Sequence, residues 1–88
     1  MKEQRSLLQF PCSYPLKVLG QNTNAFNAMV RAIIEKHIGE SAEVTYFTRV
    51  SSGDKYMSVT ATFIAQSQEQ LNAIYEELKQ PELVLTTL

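Results

Sequence analysis

The chain is poor in the residues that build disulfides and metal sites: it has one cysteine, Cys12, and one histidine, His37. A lone cysteine forms no internal disulfide, and one thiol with one imidazole makes neither a CxxC pair nor a Cys/His cluster. No metal site is written into the sequence, and no cofactor is expected. Long apolar runs are lacking too. The stretch Met29 to Ile34 is interrupted by Arg31 and is far shorter than the roughly 20 residues of a membrane span. The first ten residues lack the apolar core of a signal peptide. These absences together give the expectation of a cytoplasmic protein without membrane contact. Excess charge of one sign is also missing. Eight Lys plus Arg against nine Asp plus Glu leave a net charge of -1, so no general attraction to nucleic acid or to anionic lipid is built in.

What is present is an ordinary globular composition, with 44% hydrophobic and 19% charged residues, unlike that of a disordered tail. A chain of 88 residues is too short for two cores and long enough to bury roughly 60% of its unfolded surface. One domain over 1–88 is expected, with 1–13 as an extended arm. No linker, internal repeat or low-complexity segment interrupts it.

Prolines at 11 and 15 forbid a helix at the start and favour extended backbone. Leu16 to Gly20 then reads as a short strand ended by a glycine. From Asn22 or Thr23, either a competent N-cap, apolar residues fall at Phe26, Met29, Val30, Ile33, Ile34 and His37, the spacing of a helix that stops at Gly39. Two alternating runs follow, Glu43 to Val50 and Lys55 to Ala65, joined by Ser51-Ser52-Gly53-Asp54. A four-residue loop there sets Val50 opposite Lys55, Arg49 opposite Tyr56, Tyr46 opposite Val59 and Val44 opposite Ala61. One face then carries Val44, Tyr46, Val50, Met57, Val59, Ala61 and Phe63 toward a core. The other carries Glu43, Thr45, Phe47, Arg49, Tyr56, Ser58 and Thr60. Ser67 with Gln70 fits a capping box, and Leu71, Ile74, Tyr75 and Leu78 form the stripe of a second helix ending near Lys79 before Pro81. Leu83 to Leu88 is a last strand whose inward parity the pattern leaves open. This order predicts an α+β, ferredoxin-like βαββαβ fold: a four-stranded antiparallel sheet, first and third strands central, with two helices on one face.

Three segments carry a family resemblance: Phe10-Pro11-Cys12-Ser13-Tyr14-Pro15-Leu16-Lys17-Val18-Leu19-Gly20, Ser51-Ser52-Gly53-Asp54-Lys55-Tyr56-Met57-Ser58-Val59-Thr60, and Ile74-Tyr75-Glu76-Glu77-Leu78. Together they resemble the YbeD family of small uncharacterised bacterial proteins. The resemblance implies a fold similar to the ACT regulatory domains, and it implies no activity that could be carried over residue by residue.

Catalysis finds little support in the residues. His37 lies on the apolar helix face near the C-terminus, where a structural or capping role is expected, because neither Cys12 nor a carboxylate is implied beside it. Ser51 and Ser52 sit in a turn, where hydroxyls serve the backbone, and no base is placed to activate them. The first strand-helix loop, Gly20-Gln21-Asn22-Thr23-Asn24, lacks the arginine with which an acylphosphatase of this fold would hold phosphate. No catalytic residue is assigned, and an enzyme is not expected.

Two binding readings remain. In the first, Gly20, Gln21, Asn22 and Thr23 present hydrogen-bonding groups to a small, amino-acid-like polar ligand; the plainer explanation, that this run caps the helix, ranks above it. In the second, Lys17, Phe47, Arg49 and Tyr56 form a contact surface on the open sheet face. Its plainer alternative is self-packing, with Arg49 opposite Tyr56 as a cation-π pair. That face could stack RNA bases, but no RNP1-like sequence is present and the balance of charge is acidic, so nucleic acid is disfavoured. A protein partner or a homodimer is the favoured expectation.

Overall fold

The computed structural model describes residues 8–87. Its elements run β1 (Cys12–Gln21), α1 (Asn24–Ile38), β2 (Val44–Val50), β3 (Tyr56–Ala65), α2 (Gln68–Leu78) and β4 (Val84–Thr87). All strand pairs are antiparallel, in the order β2-β3-β1-β4. The β1 and β3 strands are therefore central, as the right-handed crossovers of a split βαβ unit require. The first seven residues of the expected arm, and Leu88 of the expected last strand, lie outside the described residues.

β1 is longer than the sequence pattern suggests. Cys12 to Pro15 pair with Ala65 to Thr62 of β3, whereas β4 reaches only Val18 to Gly20. Among the described residues no strand pairs with β1 at Pro15 on the side away from β3, the setting in which a sheet tolerates a residue without an N–H.

Thr23 is the N-cap of α1, its hydroxyl accepting from the Phe26 N–H at 3.0 Å, and the helix ends at Gly39. Ser67 caps α2 in the same way, accepting from the Gln70 N–H at 3.1 Å. The Gln70 side chain has two further bonds. Its Oε1 accepts from the Gln66 N–H at 2.9 Å, and its Nε2 donates to the His37 carbonyl at 3.3 Å, tying the start of α2 to the end of α1. Replacing Thr23 or Ser67 by alanine should lower stability by about 1 kcal/mol each, the usual loss for such a cap. Urea unfolding measures this, and an unchanged midpoint would show that water replaces the cap without loss.

Both helices lie on one sheet face. Leu16, Val18, Val59, Ala61, Phe63 and Ala65 meet Phe26, Val30, Ile33, Ile34, Leu71, Ile74 and Leu78 in one buried cluster. Within β4 the parity left open is given by Val84, which packs on the core, and Leu85, which is exposed; Leu83, just before the strand, packs on the core as well.

The hairpin has the expected faces in a different register, except that Val50, expected to face the core, is 44% exposed where β2 ends. Val44 opposes Phe63, Tyr46 opposes Ala61, and Val50 opposes Met57, a slip of two residues from the expected pairing. The turn explains it. Ser51 donates its N–H to the Tyr56 carbonyl at 2.8 Å, and the Tyr56 N–H donates to Ser51 Oγ at 3.1 Å, so the loop is Ser52 to Lys55. Gly53 and Asp54 both hold positive φ, 89° and 62°, inside that loop. A two-residue slip keeps each side chain on its face, because the strand period is two.

Candidate functional site

The face of the sheet opposite the helices holds all four residues of the expected contact surface. On it, Phe47 and Lys17 flank Thr60, Arg49 and Leu19 flank Ser58, and Gln21 opposes Tyr56. Phe47 is 63% exposed, with Tyr56 and Ile64 also open to solvent. Lys17, Arg49 and Tyr56 line one groove of about 390 Å³, together with Leu19, Ser51 and the nearly buried Ser58. Phe47 stands outside it. The register change removes the Arg49–Tyr56 pair: Arg49 is opposite Ser58, and the cation-π contact among the described residues is that of Arg31, 4.2 Å from the Tyr46 ring centre. Leu19 and Ser58 were not singled out from sequence as site residues. Their outward parity was visible, but the groove exists only once β1 and β3 are paired.

The expected ligand loop divides in two. Gly20 is buried against Phe26 and the Leu83 carbonyl. Gln21, Asn22 and Thr23, with Lys55 and Tyr56, line a depression of about 320 Å³. Their backbone donors are engaged: the N–H groups of Gln21, Asn22 and Thr23 bond to the carbonyls of Leu83, Lys55 and Gln21. The Asn22 amide donates to the Asp54 carbonyl at 3.0 Å, and the Thr23 hydroxyl caps α1. Tyr56 borders both this depression and the groove, so the two candidate regions adjoin.

His37 has a carboxylate beside it, contrary to the sequence reading. Its Nε2 lies 2.8 Å from Glu77 Oε1, and Lys36 Nζ lies 2.7 Å from Glu77 Oε2. Hydrogen bonds from Lys36 first, and from His37 second, hold the Glu77 carboxyl below its ordinary value. The pair joins α1 to α2 at their exposed ends. Cys12 is part-buried on β1, on a different element from this pair. Among the described residues no helix is long and apolar enough to cross a membrane.

Two tyrosines add a pH signature. Tyr46 is pushed from 10.0 up to about 12 chiefly by burial, then by the hydrogen bond it donates to Glu35 at 3.0 Å. Tyr75 is raised for the same first reason, and by its 2.9 Å bond to the Tyr14 hydroxyl. A raised folded-state value means that the unfolded chain ionises first, so stability present below pH 10 is lost as pH rises through the folded values. Urea midpoints should therefore fall between pH 10 and pH 12, and less steeply in a Tyr46→Phe, Tyr75→Phe double variant. An equal fall in both proteins would assign the effect to other groups.

A four-stranded sheet in this order with two helices on one face is an ACT-like, ferredoxin-like domain. Among solved structures, protein HP0495 from H. pylori matches it with a TM-score of 0.71 at 17% identity, over 92% of this chain and 85% of its own. The ACT domain from the GTP pyrophosphokinase of Chlorobium tepidum matches with a TM-score of 0.67 at 13% identity, over 88% and 83%. At such identities the likeness is one of fold. Membership is shown by sequence: the chain belongs to the family described as protein of unknown function DUF493, which matches residues 5–88. A UPF0250 protein of Chromobacterium violaceum is 34% identical over 86% of this chain and 85% of its own length. A second, from Neisseria gonorrhoeae, is 36% identical over 99% and 96%. The YbeD resemblance is thereby borne out.

Proposed function

We propose that the protein is a small cytoplasmic binding module with a regulatory role, working by protein contact through its open sheet face and not by catalysis. The observation that carries this reading is the exposure of Phe47, 63%, on the same uncovered face as Tyr56 and Ile64. Exposed aromatics grouped on one face of a small domain mark contact surfaces more often than solvated ones. The ACT-like fold is consistent with this role, since one solved neighbour is a domain of GTP pyrophosphokinase. Fold alone assigns no function.

The partner open to direct test is a second copy of the chain. Light scattering should give a dimer mass for the wild type at high concentration and a monomer mass for Phe47→Ala, Arg49→Ala, with the melting temperature little changed. A wild-type monomer would sink the self-contact version and leave a different protein as the partner. A second reading, a small amino-acid-like ligand at Gln21, Asn22 and Thr23, is supported by the depression they line. A thermal shift with an amino acid, abolished by Asn22→Ala, would favour it.

A further inference from the structure

The four strands contain two charged residues, Lys17 and Arg49, and no aspartate or glutamate. Both lie on the open face, although the whole chain carries net charge -1. Ion pairing among the described residues takes place elsewhere: Lys36 and His37 meet Glu77, and Lys79 meets Glu76. Lys17 opposes Thr60 and Arg49 opposes Ser58, on strands either side of β3. By strand spacing and rise their Cα atoms stand roughly 12 Å apart, a gap that two long cationic side chains close around a shared ligand. Ser58, 9% exposed, belongs to the lining between them. Ser51, Ser52 and Tyr56 add hydroxyls, and Ser51 Oγ, which accepts from the Tyr56 N–H, keeps its own proton to donate.

We propose that this groove binds the phosphate or carboxylate group of a small molecule. Arg49 supplies the planar fork that matches either oxyanion, Lys17 a second positive charge, and the serine hydroxyls neutral donors. A volume of about 390 Å³ lies in the range of small-molecule sites. Leu19 and Val50, also in the lining, offer apolar contact to whatever carries the anion. The proposal goes beyond protein contact, because it requires no second protein and holds for a monomer.

The test is a titration of the labelled protein followed by amide chemical shifts, with inorganic phosphate in one arm and glutarate in the other, at ionic strength held constant with chloride. Saturable shifts should gather around Lys17, Arg49, Ser51 and Ser58. Lys17→Gln and Arg49→Gln should each weaken binding several-fold, whereas Lys36→Gln and Lys79→Gln should not. Response to phosphate alone assigns a phosphorylated ligand, response to glutarate alone a carboxylate, and response to both a site for either oxyanion. Non-saturating shifts, or shifts indifferent to Lys17→Gln and Arg49→Gln, overturn the proposal. The spectra of the variants also show whether each keeps its fold. A monomeric wild type would leave this result standing, so its failure and that of the contact reading are separable.

Discussion

Phe63→Ala is expected to destabilise the protein by about 3–5 kcal/mol, the range for truncating a buried aromatic. Phe63 is 3% exposed on the core face of β3, opposite Val44 on one side and Tyr14 on the other. Its ring is tilted 56° to that of Tyr14, at 6.5 Å between centres, so the substitution removes an aromatic contact as well as filling volume. Small domains have about 5–15 kcal/mol of stability in all, and the variant should unfold in far less urea. A near-neutral effect would mean that the strand presents its other face to the helices.

Gly20→Ala should be the second severe change, although it adds a single methyl group. A Cβ at this position would sit 2.5 Å from the Leu83 carbonyl oxygen and against the Phe26 ring. Phe26 is fully buried and the carbonyl belongs to the backbone, so neither moves aside without disturbing β1, α1 or the approach to β4. The loss should reach or exceed the ~1–3 kcal/mol typical of overpacking, seen as a clear drop in melting temperature. A wild-type melting temperature would show that this junction yields easily. The result also bears on the site, because it explains Gly20 by close packing and not by a ligand.

The features legible in the sequence are those that repeat at short range. The period of two in β2 and β3 placed Val59, Ala61 and Phe63 inward and Phe47, Arg49 and Tyr56 outward. The helix spacing from Phe26 to Ile34 and from Leu71 to Leu78 defined both buried stripes. The hairpin register was not legible, because a slip of two residues leaves every face unchanged and the hydrophobic pattern cannot detect it. Ser51 Oγ bonding to the Tyr56 N–H, with positive φ at Gly53 and Asp54, settled the register. That slip also changes the candidate groove, since it sets Arg49 beside Ser58 instead of Tyr56. The His37–Glu77 contact joins residues 40 apart, and nothing local to either signals it. The charge content of the strands was readable from the start. The pattern also put Lys17 and Arg49 on one face; what it could not show is Ser58 standing between Leu19 and Arg49, which the register supplies.

The most direct test of the contact reading is the concentration dependence of the amide spectrum, followed by dilution from millimolar to micromolar protein. Self-contact through the open face predicts that Phe47, Arg49, Tyr56 and their outward-facing neighbours on β1 and β3 shift together, with α1 and α2 still. A spectrum unchanged by dilution, or one in which the helices shift while the sheet face does not, would contradict it.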